Sequence, residues 1–302
     1  MSLTTRLIAA TLPLVPKLVV GRIARRYVAG ETRAEALAMV RSLNETGACA
    51  TLDLLGEEVS ERSKAEAAVA EYIGLFEDIE RQRLDANVSI KLTLLGLKID
   101  EGFCRENVTR IAATAAKSGN FVRIDMEDSS CTAATLRIYE AVHSEHGNLG
   151  CVLQAYMRRT LDDIGRLPAD QPNVRLCKGI YIEPRPLAWK GHETVRANYT
   201  AALEKLLRNN VYVAIATHDE HLVCAAEVLI DKLVLTPDRY EFQMLLGVDE
   251  ELRAILLERG HKLRVYVPYG RDWYRYSMRR LRENPEVARH VLRAALGLGS
   301  RR

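Results

Sequence analysis

The chain has 302 residues, enough for one large α/β barrel or two ordinary domains, and its 48% apolar and 27% charged residues describe a globular protein with a well-filled core. A formal net charge of +3 is too mild to argue for a nucleic-acid partner, and no block of like charges marks a tail. Six cysteines, at Cys49, Cys104, Cys131, Cys151, Cys177 and Cys224, form no C-x-x-C pair and read as buried, reduced thiols of a cytoplasmic protein.

In chain order, the stretch LIAATLPLVPKLVVGRIARRY at first looks like a secretion signal. Pro13, Pro16 and Lys17 interrupt its apolar run, and its positive charge follows the apolar part instead of preceding it. Residues 1–47 therefore read as an N-terminal helical arm. From Ala48 onward short apolar runs alternate with amphipathic helices, the pattern of a parallel sheet of βα units. Strands are expected over 48–55, 87–93, 121–127, 149–156, 174–179, 211–218, 239–245 and 262–270. The clearest helices lie at 60–84, 106–119, 131–147, 193–210 and 249–260, several ending at a Gly or Asn suited to a left-handed cap. Eight such units without a Gly/Ser-rich linker predict an α/β chain forming a single (βα)8 TIM-like barrel over 48–302. An open doubly wound sheet is the alternative, and eight regular units followed by a last helix favour closure.

In a barrel, active-site residues belong at the C-terminal ends of the strands. Polar residues fall there: Lys91, Asp125 and Glu127, Gln154 and Tyr156, Arg175 and Lys178, Thr217 and His218. Alternation sets Ser89, Lys91 and Thr93 opposite Ile90 and Leu92, and Arg123, Asp125 and Glu127 opposite Ile124 and Met126, so the charged set points inward. Charges inside a barrel are costly unless paired or used, which makes them either a structural ion-pair network or a functional site.

The stretch RVYVPYGRDWYRYSMRRL turns from strand to helix. Leu263, Val265 and Val267 take one face and Arg264, Tyr266 and Pro268 the other. On the final helix Tyr276, Arg279 and Arg280 stand at i, i+3 and i+4 and share a face, an arrangement that suits a small carboxylate because each guanidinium pairs both oxygens. The plain alternative is a solvated basic face. The terminal VARHVLRAALGLGSRR is either an amphipathic surface helix or a cap.

Three chemistries compete on these residues. No G-x-G-x-x-G occurs, so a Rossmann nucleotide site has no support and a flavin would have to sit on the barrel top. Lys91 or Lys178 could instead form a Schiff base in a barrel lyase, and a non-enzymatic binding barrel would use the cations structurally. His218 and His221 lie at a strand-to-helix turn with no third ligand at a metal-site spacing.

The motifs SIKLTLLGL, RIDMEDS, LQAYMRRT, RLCKGIYIEP, ATHD, YEFQMLLG and RVYVPYGRDWYRYSMRRL resemble, in this order, the motif series of the proline dehydrogenase family, from about Leu52 to Glu283. The resemblance implies a distorted barrel that binds FAD noncovalently, oxidises L-proline to Δ1-pyrroline-5-carboxylate and passes electrons to a membrane quinone. It implies a place in the cytoplasm or at the inner face of the membrane, and a separate pyrroline-5-carboxylate dehydrogenase to consume the product. Residue by residue, it assigns Arg279, Arg280 and Lys91 to the proline carboxylate, with Asp125 orienting them beside the reacting centre. Tyr266, Tyr276 and Leu245 would pack on the ring and Tyr181 would line the pocket. Met126, Gln154, Arg175, Lys178, Gly179, Ile180, Thr217 and His218 would hold the flavin, Arg175 being best placed to stabilise charge on the reduced ring. Glu57 resembles the family's lid carboxylate that pairs with Arg279, and Glu58 is an equally near candidate.

Overall fold

The computed structural model describes residue 21, residues 24–274 and residues 276–278; Arg279, Arg280 and most of the apolar N-terminal stretch lie outside the described residues. Eight parallel strands follow one another around a closed barrel: β1 Cys49–Leu54, β2 Ala86–Ile90, β3 Val122–Ile124, β4 Leu149–Gln154, β5 Asn173–Cys177, β6 Tyr212–Ala216, β7 Tyr240–Leu245 and β8 Leu263–Tyr269. β8 closes on β1 in a parallel register running from Cys49 opposite Arg264 to Leu54 opposite Tyr269. Closure, and not the open sheet, is thus the observed solution.

The helices are α1 Arg33–Glu45, α2 Arg62–Gln82, α3 Glu101–Lys117, α4 Ser129–His146, α5 Thr160–Ile164, α6 His192–Arg208, α7 Glu220–Lys232 and α8 Glu250–Glu258. Several begin on a side-chain cap that satisfies an otherwise orphaned amide. Asp128 accepts from the Ser130 amide, Asp219 from that of His221 and Asp249 from that of Leu252, while Thr32 and Glu35 form a reciprocal capping box. α1 packs on β1 and β8, and just ahead of it the Ala29 amide donates to the Pro268 carbonyl at 2.9 Å. This part of the arm therefore covers the seam where the barrel closes.

The strand faces divide the chemistry. Outward residues such as Leu52, Ile90, Ile124, Leu176, Ile215 and Val267 are buried against helix residues such as Tyr72, Phe76, Ile111 and Leu206, which makes the apolar core a shell between strands and helices. The strand interior, by contrast, is crossed by charges. Near the strand starts, Glu241 accepts from Arg264 Nε at 3.0 Å and from the Tyr212 hydroxyl at 3.1 Å. Arg123 donates to the carbonyls of Cys151 and Asn173 at 2.9 and 2.8 Å. Gly150 makes room for that guanidinium, since a Cβ there would overlap Arg123 and the Asn173 carbonyl.

Two expectations need correction. Cys224 is exposed on α7 and Cys177 half-buried, so only Cys49, Cys104, Cys131 and Cys151 are buried thiols. The strands also stop earlier than expected, β2 at Ile90, β3 at Ile124, β4 at Gln154 and β6 at Ala216. The chain must leave the ladder there to turn into the next helix, which moves Lys91, Asp125, Glu127, Tyr156, Thr217 and His218 just past the strand ends.

Burial alone would raise the Glu241 carboxyl, but Arg264 and the hydrogen bonds around it hold it down from 4.5 to about 2. A carboxyl depressed on folding stabilises the protein above its unfolded value and loses that contribution as pH falls through the folded one. Glu241→Gln should therefore flatten the decline of stability between pH 4.5 and 2. Urea unfolding midpoints across that window check this, and an unchanged slope would show that Glu241 is not a charged partner of Arg264.

Candidate active site

Above this lower network, inward side chains on β1, β2, β5, β7 and β8, and others just past the ends of β2 and β3, converge at the C-terminal end of the barrel. Asp125 is their centre. Its Oδ1 accepts from Arg175 at 2.5 Å, its Oδ2 accepts from the Tyr266 hydroxyl at 2.7 Å, and Lys91 Nζ lies 3.6 Å from the same Oδ2. Lys91 also donates to the Tyr266 hydroxyl at 3.2 Å and to Asp53 Oδ1. Arg175 spends its remaining nitrogens on Ser89 Oγ at 2.9 Å and on Gln243 Oε1. Gln243 in turn donates to Glu241, so the upper and lower networks are joined through one amide.

Two carboxylates and two cations make this upper storey neutral, as a low-dielectric interior demands. Burial works against ionisation of Asp125, yet Arg175 and Lys91 hold its carboxyl below the usual value. Burial likewise works against the Lys91 ammonium, and Asp53 and Asp125 overcome it, so Lys91 stays a cation. Burial pushes Asp53 up against the pull of Lys91. The Tyr266 phenol is raised well above its ordinary value by burial and then by Asp125, and remains a neutral donor.

A cleft of about 360 Å³ opens at the strand ends, and Lys91 joins it to this storey. Its walls come from loops at the strand ends: Leu55, Gly56, Glu57 and Glu58 after β1, Lys91, Thr93 and Lys98 after β2, Glu127, Asp128 and Cys131 after β3, Tyr181 after β5, and Asp272 and Tyr276 after β8. Tyr276 packs with Val28, Leu55 and Trp273. Both lid candidates, Glu57 and Glu58, line the cleft, and Glu58 pairs with Lys98 at 2.7 Å on the rim.

The remaining candidates gather over β4 to β7. Gln154 donates to the Glu127 carbonyl at 3.0 Å, and Met126 is buried beside it in sequence. Asp219 is shared by Lys178 at 3.1 Å and by Arg196 at 2.9 and 2.7 Å, and those hydrogen bonds hold its carboxyl far below the usual range against burial. Gly179 has φ +105, and a Cβ there would strike the Tyr156 ring. The Leu245 amide donates to His218 Nε2 at 2.9 Å, which assigns the neutral tautomer with its proton on Nδ1. Thr217 is buried, Ile180 half-buried and Ile182 almost wholly exposed. Glu193 also pairs Arg196 at 3.0 Å, so the cluster is balanced in charge, and the N–H groups of Lys178 and Arg196 beside apolar loop residues are a donor set that fits the diphosphate and the flat ring of a dinucleotide.

Inference from sequence passed over Asp53, Gln243, Asp219 and Arg196. Asp53 carried a readable signal, because in Thr51-Leu52-Asp53-Leu54 the alternation that turns Ser89 inward turns Thr51 and Asp53 inward too, and the Thr51 and Ser89 hydroxyls meet at 3.1 Å.

The family model described as proline dehydrogenase matches residues 36–293. The chain belongs to the proline dehydrogenase family. Proline dehydrogenase 2 of Bacillus subtilis (strain 168) is 38% identical over 262 residues, covering 87% of this chain and 86% of the relative. The proline dehydrogenase of Deinococcus radiodurans is 36% identical over 279 residues, covering 91% and 90%. Among solved structures, proline utilization A from Bdellovibrio bacteriovorus, inactivated by N-propargylglycine, superposes with a TM-score of 0.80 at 24% identity. That match covers 85% of this chain and 32% of the other, and shows the shared barrel fold of the family.

Asp53 lies beneath Lys91 and is fully buried, so removing it strips a buried ammonium of its nearer carboxylate. Asp53→Ala should lower stability by about 3 kcal/mol, and the cost should shrink when Lys91→Met is already present. Urea unfolding of both single variants and the double variant measures this, and strictly additive losses would show the two groups to be uncoupled.

Proposed function

We propose that this chain oxidises L-proline to Δ1-pyrroline-5-carboxylate with FAD held noncovalently at the strand ends, and that the electrons leave to a membrane quinone. Membership of the family makes it an enzyme that oxidises proline, and the family depends on a flavin. The observation that carries the reading is Asp125 bound at once by Arg175, Tyr266 and Lys91, with Lys91 lining a cleft large enough for a small amino acid.

The charge balance favours a particular division of labour. Lys91 is already matched by Asp53 and Asp125, so a substrate carboxylate brought above it needs further cations. Arg279 and Arg280, outside the described residues, are the pair assigned to that role, with Lys91 as third contact. Tyr266 and Tyr276, with Leu245 and Tyr181, cover the ring, and Glu57 closes the cleft. Asp125 keeps Lys91 and Arg175 in place while Tyr266 offers a neutral hydroxyl. Three cations around one small carboxylate lock its orientation, a positioning effect.

Gln154, Lys178, Gly179, Ile180, Thr217, His218 and Met126 are assigned to the flavin, as is Arg175, whose nitrogens bond Asp125, Ser89 and Gln243 within the barrel. When bound, FAD would accept the hydride that leaves the ring carbon next to nitrogen as the C–N bond becomes C=N and the nitrogen gives up a proton, chemistry no side chain supplies. Family membership supports proline oxidation and not the Schiff-base alternative, and at Lys91 two carboxylates hold the ammonium charged where a lysine nucleophile must lose its proton.

Among the described residues no helix is long and apolar enough to cross a membrane. From the family resemblance we assign the chain to the cytoplasm, meeting the quinone at the inner face of the membrane and releasing its product to a separate pyrroline-5-carboxylate dehydrogenase.

Purified protein supplied with FAD should show flavin absorbance that anaerobic L-proline bleaches and NAD leaves unaffected. A protein that stays inactive with FAD would overturn the assignment. Tyr266→Phe keeps the ring but removes the hydroxyl between Lys91 and Asp125, so kcat/KM for proline should fall roughly ten- to hundredfold, the usual worth of a hydrogen bond to a charged group, at unchanged FAD content. Equal kcat/KM values in the two proteins would remove Tyr266 from the site.

A further inference from the structure

Glu127 is a buried carboxylate at the cleft that none of the roles above uses. An unpaired carboxylate there would be costly, and its contacts show what it does instead. It takes both donors of Thr93: Oε2 accepts from the Thr93 amide at 3.0 Å and Oε1 from the Thr93 hydroxyl at 2.5 Å. With its proton committed to Glu127, the Thr93 oxygen is left to accept, and the Glu58 amide donates to it at 2.9 Å. The Val59 amide donates to the Thr93 carbonyl at 3.1 Å.

The segment held in this way is the turn after β1. Glu58 sits in the left-handed region at φ 57, a conformation that a non-glycine residue keeps only when its surroundings impose it. Next to it, Gly56 lies against Leu94, where a Cβ would come within 2.9 Å of a leucine methyl. Glu57 stands between these two fixed residues. A carboxylate after β3 thus reaches, through one threonine after β2, the backbone on which Glu57 is mounted.

We infer that Glu127 and Thr93 are positioning residues, a relay that sets the backbone of residues 56–59 and with it the direction of Glu57 into the substrate cleft. The inference rests on the proposed role of the cleft in proline binding. It requires the hydroxyl of Thr93 specifically. A valine of the same shape leaves the Glu58 amide without its acceptor and Glu127 without its second donor, whereas serine keeps both.

The experiment compares Thr93→Val, Thr93→Ser and Glu127→Gln with the wild type as FAD-loaded full-length protein. Hydrogen exchange of the peptide spanning residues 55–61 should quicken in Thr93→Val and Glu127→Gln and stay near the wild-type rate in Thr93→Ser. KM for proline should rise about tenfold in Thr93→Val with kcat changed much less, as misplacement of a group that holds substrate predicts. The same substitution made on Glu57→Gln should add little further. Exchange that is unchanged in Thr93→Val, or equally fast in Thr93→Ser, overturns the relay, as does a KM effect that is undiminished in the Glu57→Gln background. Should Thr93→Val fail to fold, Glu127→Gln carries the same comparison. If exchange behaves as expected while the wild type fails to oxidise proline, the relay stands and the functional assignment falls.

Discussion

The structure depends on keeping Asp53, Lys91, Asp125 and Arg175 mutually neutral inside a closed sheet. At the separations seen here, opposite charges in a medium of low dielectric attract strongly, but each alone would bear a desolvation cost that no single hydrogen bond offsets. The arrangement works only as a set. Asp125 stays ionised because Arg175 and Lys91 flank it, and Lys91 stays charged because two carboxylates do. Gln243 ties the set to the Glu241 and Arg264 pair below, so the barrel axis is a continuous polar column where many barrels stack branched aliphatic side chains. Hydrophobic stabilisation then falls to the shell between strands and helices, where Leu52, Tyr72, Phe76 and Ile124 are buried.

The cleft inherits its shape from ties between neighbouring loops. Glu183 of the loop after β5 accepts from the amide and hydroxyl of Ser129, both at 2.6 Å, so the wall bearing Tyr181 is fastened to the start of α4. Thr93 fastens the opposite wall. Both fastenings meet the short segment Glu127 to Ser129, which leaves β3 after only three strand residues and so brings two anchoring groups to the rim. Gly179 serves the same packing by lacking a side chain beside the Tyr156 ring, and at the other end of the barrel Gly150 leaves room for the Arg123 guanidinium.

Much of this was legible in the chain. The eight apolar runs lie where the strands are, and the alternation in Ser-Ile-Lys and Arg-Ile-Asp turns the charged residues inward, as their hydrogen bonds show. The same rule applied to Thr51-Leu52-Asp53 would have found Asp53. Arg175 read as a strand-end residue, yet it sits in the middle of β5 and acts from within the barrel. Asp219 was hidden for a different reason, because as the cap of α7 it already has an adequate local explanation.

The amino-acid sequence by itself determined the repeat, the barrel class, the inward set of charges and the family, because side-chain period and motif order are properties of the chain that need no partner. Only the tertiary structure decided which charges meet. Asp53 is far from Lys91 in sequence, and Arg175 on β5 reaches past β4 to Asp125 after β3. Whether a carboxylate is matched, raised or left to hold a loop depends on distances of a few ångströms set by closure and register, and composition contains no record of them. Glu127 and Asp125, two residues apart in one motif, therefore have opposite shifts, the first raised by burial and the second held down by Arg175 and Lys91.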